Sequence, residues 1–160
     1  MSEPTTPPAP APTARAPVVD PVAVLTGALV GLAILVPVSV LRVILDREIN
    51  DINHSAWIVV LSIALLVGYV AAGAVGGLRA PNAPLSNGAL AALGAVVLWV
   101  PIRIVIWLIR DEHRGLFNGS KPALSPGQLF GAAVLAAVLG ALGGFVSTHL
   151  VRRARAEDES

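Results

Sequence analysis

The apolar residues of this chain fall into four long blocks, at about 21–45, 56–78, 86–109 and 126–151, and the first has no charged residue from Val22 to Leu41. A helix crosses the ~30 Å hydrocarbon core of a bilayer with roughly 20 apolar residues. Four such blocks predict an all-α, polytopic membrane protein with four transmembrane helices, arranged as two tandem helical hairpins. Composition agrees. Hydrophobic residues make up 55% of the 160 positions, charged residues only 13%, and the mean hydropathy is +0.76. A soluble domain carries about 25% charged residues, so this chain has too few to cover a water-facing surface.

Several functions are excluded or disfavoured at once. The net charge of +1 exerts no bulk pull on nucleic acid. Without cysteine there is no disulfide, thiolate metal site or cysteine nucleophile. His54, His113 and His149 lie in separate segments without metal-ligand spacing, and no Gly-rich phosphate loop or nucleophile elbow is present. No cofactor is expected.

Residues 1–19 are rich in Pro, Ala and Thr and are expected to form a disordered, partly polyproline tail ahead of a transmembrane domain at 20–151. The missing basic n-region and the length of the next apolar block argue against a signal peptide. Asp20 is placed to cap the first helix, with Pro21 at its first turn. Pro37 should kink that helix by freeing the Ala33 carbonyl. Ser55 and Ser125 are placed as caps for the second and fourth helices, and Trp57 for an interfacial belt. The charged segment 152–160 is expected to end the fourth helix and form a mobile tail.

Small residues recur at every fourth position in two spans: Ala64, Gly68, Ala72, Gly76 and Ala80 in the second, Ala132, Ala136, Gly140 and Gly144 in the fourth. Such rows let helix backbones approach closely in lipid, so Gly68, Gly76, Gly140 and Gly144 are expected to be packing positions. They predict packing within the bundle, with a homodimer interface as the alternative. The two halves also resemble each other. Val36-Pro37 matches Val100-Pro101, Asp46 matches Asp111, and Gly73-Ala-Val-Gly-Gly77 matches Gly140-Ala-Leu-Gly-Gly144, at offsets of 64 to 67 residues. A duplicated two-helix unit keeps its orientation, which predicts a pseudo-two-fold axis along the membrane normal.

Four spans put both termini on one side. The Arg152, Arg153 and Arg155 cluster and the Pro-rich tail favour the cytoplasm. Abundant Ala, Val, Leu and Gly, with ten Arg among eleven basic residues, fit a high-GC bacterial proteome and its cytoplasmic membrane.

The polar feature of most interest is Arg103, a charge inside the third span. At the bilayer centre such a group costs at least ~2.5 kcal/mol. It can snorkel toward Arg110, about 10 Å further along the helix. Trp99, Arg103, Trp107 and Asp111 share one face, and Arg42 and Asp46 end the first span on the same membrane side. Arg42, Asp46, Arg103 and Asp111 are therefore a candidate intramembrane polar cluster, against the plainer reading of a solvated ion-pair ladder and a snorkelling arginine.

The stretch Gly73-Ala-Val-Gly-Gly-Leu-Arg-Ala-Pro-Asn-Ala-Pro-Leu-Ser-Asn-Gly-Ala-Leu90 covers about a tenth of the chain. It resembles a pattern in the uncharacterised small four-helix integral membrane proteins of prokaryotes: a Gly-rich helix, an Arg-containing turn, then a polar-Gly-Ala-Leu start to the next helix. The resemblance implies fold and location only. The functional expectation is a non-enzymatic accessory or structural subunit acting through helix–helix or lipid contacts. Its partners would be the bilayer and a second copy or another membrane protein. The alternative is a small oligomeric transporter or channel for an anion, with an intramembrane enzyme third.

Overall fold

The computed structural model describes residues 19–48, 55–109 and 125–158. The Pro/Ala-rich tail up to residue 18 and the connection bearing Asp111 lie outside the described residues. Four α-helices account for nearly all the rest: α1 Pro21–Glu48, α2 Ala56–Arg79, α3 Pro84–Ile109 and α4 Pro126–Asp158. Each is long and apolar enough to cross a membrane, and among the described residues there is no strand. The fold is all-α, as the four apolar blocks predict.

Local chemistry explains the helix ends. The Asp20 carboxylate accepts the backbone N–H groups of Val22 (2.9 Å) and Ala23 (3.2 Å), capping α1. α3 begins at Pro84, two residues before the expected Ser86, because proline's fixed φ and missing N–H suit a first helical turn. Ser55 occupies the capping position of α2 with an extended backbone, but its side chain makes no capping bond there. The largest departure is at the other end. α4 does not stop at Val151; it continues through the arginines to Asp158. The charges end the membrane span, not the helix, since Arg, Ala and Glu are all good helix formers. Similarly α1 runs on to Glu48, beyond the expected Leu45. Both α1 and α3 continue through Pro37 and Pro101.

The helices pack as a diamond. α2 and α3 form the short diagonal and touch each other, α1 and α4 each pack against both, and α1 and α4 barely meet. This departs from the two-fold expected of a duplicated hairpin. That operation would exchange the close α2–α3 pair with the α4–α1 pair, which is not close.

Glycine makes the tightest contacts. A Cβ placed on Gly73 would collide with the Gly140 backbone, and one on Gly77 with that of Gly144. α2 and α4 thus meet through the matching Gly-x-x-x-Gly motifs of the two halves, in register and parallel. α3 closes over this seam: a Cβ on Gly88 would lie 2.5 Å from the Gly140 carbonyl oxygen, and one on Gly144 would strike the Pro84 carbonyl. The row Gly68, Ala72, Gly76 faces elsewhere. Gly68 packs on Ile34 and Leu35 of α1, Gly76 on Asn87 and Ala91 of α3, and Gly27 and Gly31 of α1 approach Ala72. α2 therefore carries two small-residue rows, one towards α1 and α3 and one towards α4. Large aliphatic side chains such as Val22, Leu29, Ile63 and Val138 cover the outside.

Substituting Ala for Gly140 is expected to lower stability by about 1–3 kcal/mol, since the new methyl meets backbone and cannot be relieved by a rotamer change. Gly131, in the same helix, has open space at its Cβ position. Ala there should raise stability by about 0.5–1 kcal/mol through helix propensity. Reversible unfolding in detergent measures both, and equal effects would contradict the packing described.

Candidate functional site

Burial divides the bundle across its middle. From Ala23 to Leu35 in α1, from Gly68 to Gly77 in α2, from Asn87 to Val96 in α3 and from Ala136 to Ser147 in α4, the inward positions are buried. This is the end where both termini and the α2–α3 turn lie. In the other half Leu61 is the one buried position among the described residues, and the inward-facing side chains there are only half-buried. Residue size accounts for the taper. The closed half is lined mostly by Gly and Ala, whereas in the wide half the half-buried positions of α1 and α3 are mostly Val, Leu, Ile, Trp and Arg, with Ala64, Ala132 and Ala133 remaining small on α2 and α4.

The closed end holds a polar latch. Asn87 is fully buried, at 0% exposure. Its Oδ1 accepts the Asp20 backbone N–H (2.8 Å), and its Nδ2 donates to the Ala83 carbonyl (2.9 Å). One side chain thus ties the start of α1 to the start of α3. Beside it, Arg79 Nη1 donates to Thr26 Oγ1 (3.0 Å), linking α2 to α1. The Ser147 hydroxyl lies 3.2 Å from the Ala74 carbonyl, bringing α4 against α2. Asn87 was not a sequence expectation beyond its place in the Gly-rich turn. Its signal was an amide followed by small residues at Gly88, Ala91 and Ala92.

At mid-depth, where the closed half ends, three polar aromatic and hydroxyl groups meet the core. Trp99 Nε1 donates to Ser39 Oγ (2.8 Å), whose own hydroxyl donates to the Leu35 carbonyl (2.7 Å). This joins α1 to α3 next to both prolines. Tyr69, the one tyrosine in the chain, is 6% exposed. It packs in the cluster of Leu35, Ala72, Ala92, Val96 and Ala136, with Leu65, Trp99 and Leu139 against it. Among the described residues its hydroxyl has no hydrogen-bond partner. A buried hydroxyl left in that state costs about 1–3 kcal/mol.

The polar cluster expected from sequence is only partly placed. Arg42 and Asp46 are exposed near the end of α1, Arg103 is half-buried on α3, and Asp111 is outside the described residues. Arg103 follows Trp99 by four residues and shares its inward face. Arg42 and Asp46 stand at the same end of the bundle, exposed on the α1 face that carries Leu35 and Ser39. His149 is exposed on α4 and packs edge-on against Phe145, with ring centroids 4.4 Å apart. No group of three or more potential metal ligands occurs among the described residues.

Comparison of the chain with protein-family models, with curated proteins and with solved structures finds no match.

Replacing Asn87 by Leu removes both latch bonds and leaves the Asp20 N–H and Ala83 carbonyl to find other partners. The expected loss is about 1–3 kcal/mol, with faster amide hydrogen exchange confined to the first turns of α1 and α3. Unchanged exchange there would show that the latch holds nothing.

Proposed function

We propose that this protein is a non-enzymatic, multi-pass subunit of a bacterial cytoplasmic membrane, with both termini in the cytoplasm, acting through helix–helix or lipid contacts. The observation that carries the reading is the direction of the small-residue rows. Gly68, Gly76, Gly140 and Gly144 all face other helices of the same chain. Such rows hold this bundle together and leave outer faces of large aliphatic side chains for lipid or a neighbouring protein. The extension of α4 to Asp158 supports a role at the membrane surface. Its 33 residues span about 50 Å, well beyond the ~30 Å hydrocarbon core. The in-register meeting of the two Gly motifs supports an origin by duplication of a hairpin.

The small-transporter reading has one observation in its favour, the wide half with Arg103 on its wall. Against it, the closed half is sealed by backbone contact, so a single bundle offers no path through.

Reconstituted in liposomes, wild type and Arg103→Leu are both expected to show no chloride flux above empty vesicles, with the protein monomeric in nanodiscs. Flux in wild type that disappears in Arg103→Leu would replace this reading with anion transport. A reporter fused to the C-terminus tests the sidedness, with cytoplasmic signal expected.

A further inference from the structure

We propose that the outer face of α4, at the end of the bundle where the termini lie, is a binding site for one anionic phospholipid, with the lipid phosphate between His149 and Arg153 and an acyl chain along Phe145, Val146 and Leu150. This deepens the lipid-contact part of the reading above and rests on it, since it names the lipid and the residues that hold it.

Position along the helix is the first argument. Phe145, Val146, His149, Leu150 and Arg153 recur at intervals that place them on one stripe of α4. Gly140, Gly144 and Ser147 of the same helix face α2 and α3. The stripe therefore looks away from the bundle, and all five of its residues are exposed. The apolar span closes at Val151. Phe145 thus lies among acyl chains, His149 just inside the boundary and Arg153 just outside it, about 12 Å from first to last. Apolar contacts below and nitrogen donors above follow the order of chemistry in a phospholipid.

Shape and unused hydrogen bonds are the second argument. The same five side chains line an open groove of about 320 Å³. One water takes ~30 Å³ in the liquid, so the space suits a headgroup rather than a bare ion. Helical side chains lean towards the N-terminus of their own helix, which for α4 is back into the bilayer. The His149 ring shows this lean, packing edge-on against Phe145 with centroids 4.4 Å apart. Arg153 leans the same way, which brings its guanidinium towards His149 in one groove. Among the described residues neither His149 nor Arg153 has a hydrogen-bond or ion-pair partner. Acyl chains offer an imidazole no hydrogen bond at this depth, whereas a phosphate does. A guanidinium matches two phosphate oxygens with parallel N–H groups.

Charge is the third argument. α4 stays helical to Asp158, so Arg153 is carried on a helix and not on a loose tail. Arg152 and Arg155 adjoin it in the chain. Glu157 and Asp158 follow about 6 Å or more further from the bilayer. A basic residue at an anionic membrane surface is worth roughly a fivefold preference for that surface.

Native mass spectrometry of the full chain, released from nanodiscs of equal palmitoyl-oleoyl phosphatidylglycerol and phosphatidylcholine, reads the site directly. Wild type is expected to retain one phosphatidylglycerol at roughly fivefold over phosphatidylcholine. Arg153→Gln should bring the two lipids to parity, and Arg153→Lys should keep part of the preference. Phe145→Ala should lower retention of both lipids together. Arg42→Gln, at an exposed arginine of the opposite end, should leave the ratio unchanged. The substituted side chains are all exposed, so no buried contact is lost with them. No preference in wild type, or one that survives Arg153→Gln, overturns the site. An equal loss in Arg42→Gln reduces it to unspecific surface charge and overturns it too. Displacement of the lipid by millimolar inorganic phosphate would make a free anion the ligand, and a dimer without lipid would make this face a contact between copies; either result overturns the proposal. Failure here leaves the accessory reading resting on helix contacts, whereas chloride flux in wild type would remove that reading and leave the lipid ratio standing.

Discussion

Two helices in lipid gain almost nothing by burying apolar surface against each other, because lipid tails are as apolar as leucine. Attraction has to come from the number of atoms brought to van der Waals distance, which rises steeply as the axes approach. The backbone contacts of Gly73 with Gly140 and of Gly77 with Gly144 supply that approach between α2 and α4. Gly88 lets α3 settle over the same seam, and Gly27 lets α1 settle on the other side of α2. Every other inter-helix feature of the closed half follows from this spacing. The Asn87 latch can reach Asp20 only because α1 and α3 are drawn together by the small residues beneath it.

The same argument explains why the bundle opens. Past Leu35 and Ala95 the half-buried residues of α1 and α3 grow to Val, Leu, Trp and Arg, and their axes must separate to hold them. Pro37 and Pro101 lie within α1 and α3 just beyond this point. Each removes one backbone hydrogen bond in the ladder, to the carbonyls of Ala33 and Val97, and makes bending locally cheaper. The Trp99–Ser39 bond then joins the two proline-bearing helices at the transition. Both prolines are plain in the sequence, but the change in residue size along the spans is not, because it becomes a shape only once the helices are in register.

What could be read from the residues alone was set by range. Four spans follow from hydropathy over twenty-odd positions, and the starts of α1 and α4 from Asp20 and Pro126, because those signals are local; α3 begins at Pro84, ahead of the expected Ser86. The exit from the membrane is also local, but the end of a helix is a different event, and so α4 outran the arginines that were expected to stop it. The row Gly68, Ala72, Gly76 was visible as a stripe, whereas its partner was not: periodicity gives a face and says nothing of what lies opposite. The second row of α2, through Gly73 and Gly77, was seen only as a motif shared with the fourth span. Its meaning as a contact needed the relative rotation of two helices. Asn87 and Tyr69 are not legible in the sequence for a related reason. Each is a single polar side chain in an apolar block, and its importance depends on burial, which no one-dimensional pattern records. Arg103 is legible because a charge in a span is conspicuous, while Arg42 and Asp46, grouped with it by side of the membrane, are exposed at the end of α1.

The asymmetry of the bundle also limits what motion it can make. For a solute to pass through, the closed half would have to part as the wide half shuts. Parting α2 from α4 would lose contacts between bare backbone segments, and glycine has no side chain to bridge the resulting gap. Lipid would have to enter a seam lined with peptide groups, which it solvates poorly. Among the described residues the wide half has no glycine seam of this kind, and the Trp99–Ser39 bond joins α1 to α3 at the boundary between the halves. Any breathing of the bundle is therefore confined to one side, over a floor that stays shut.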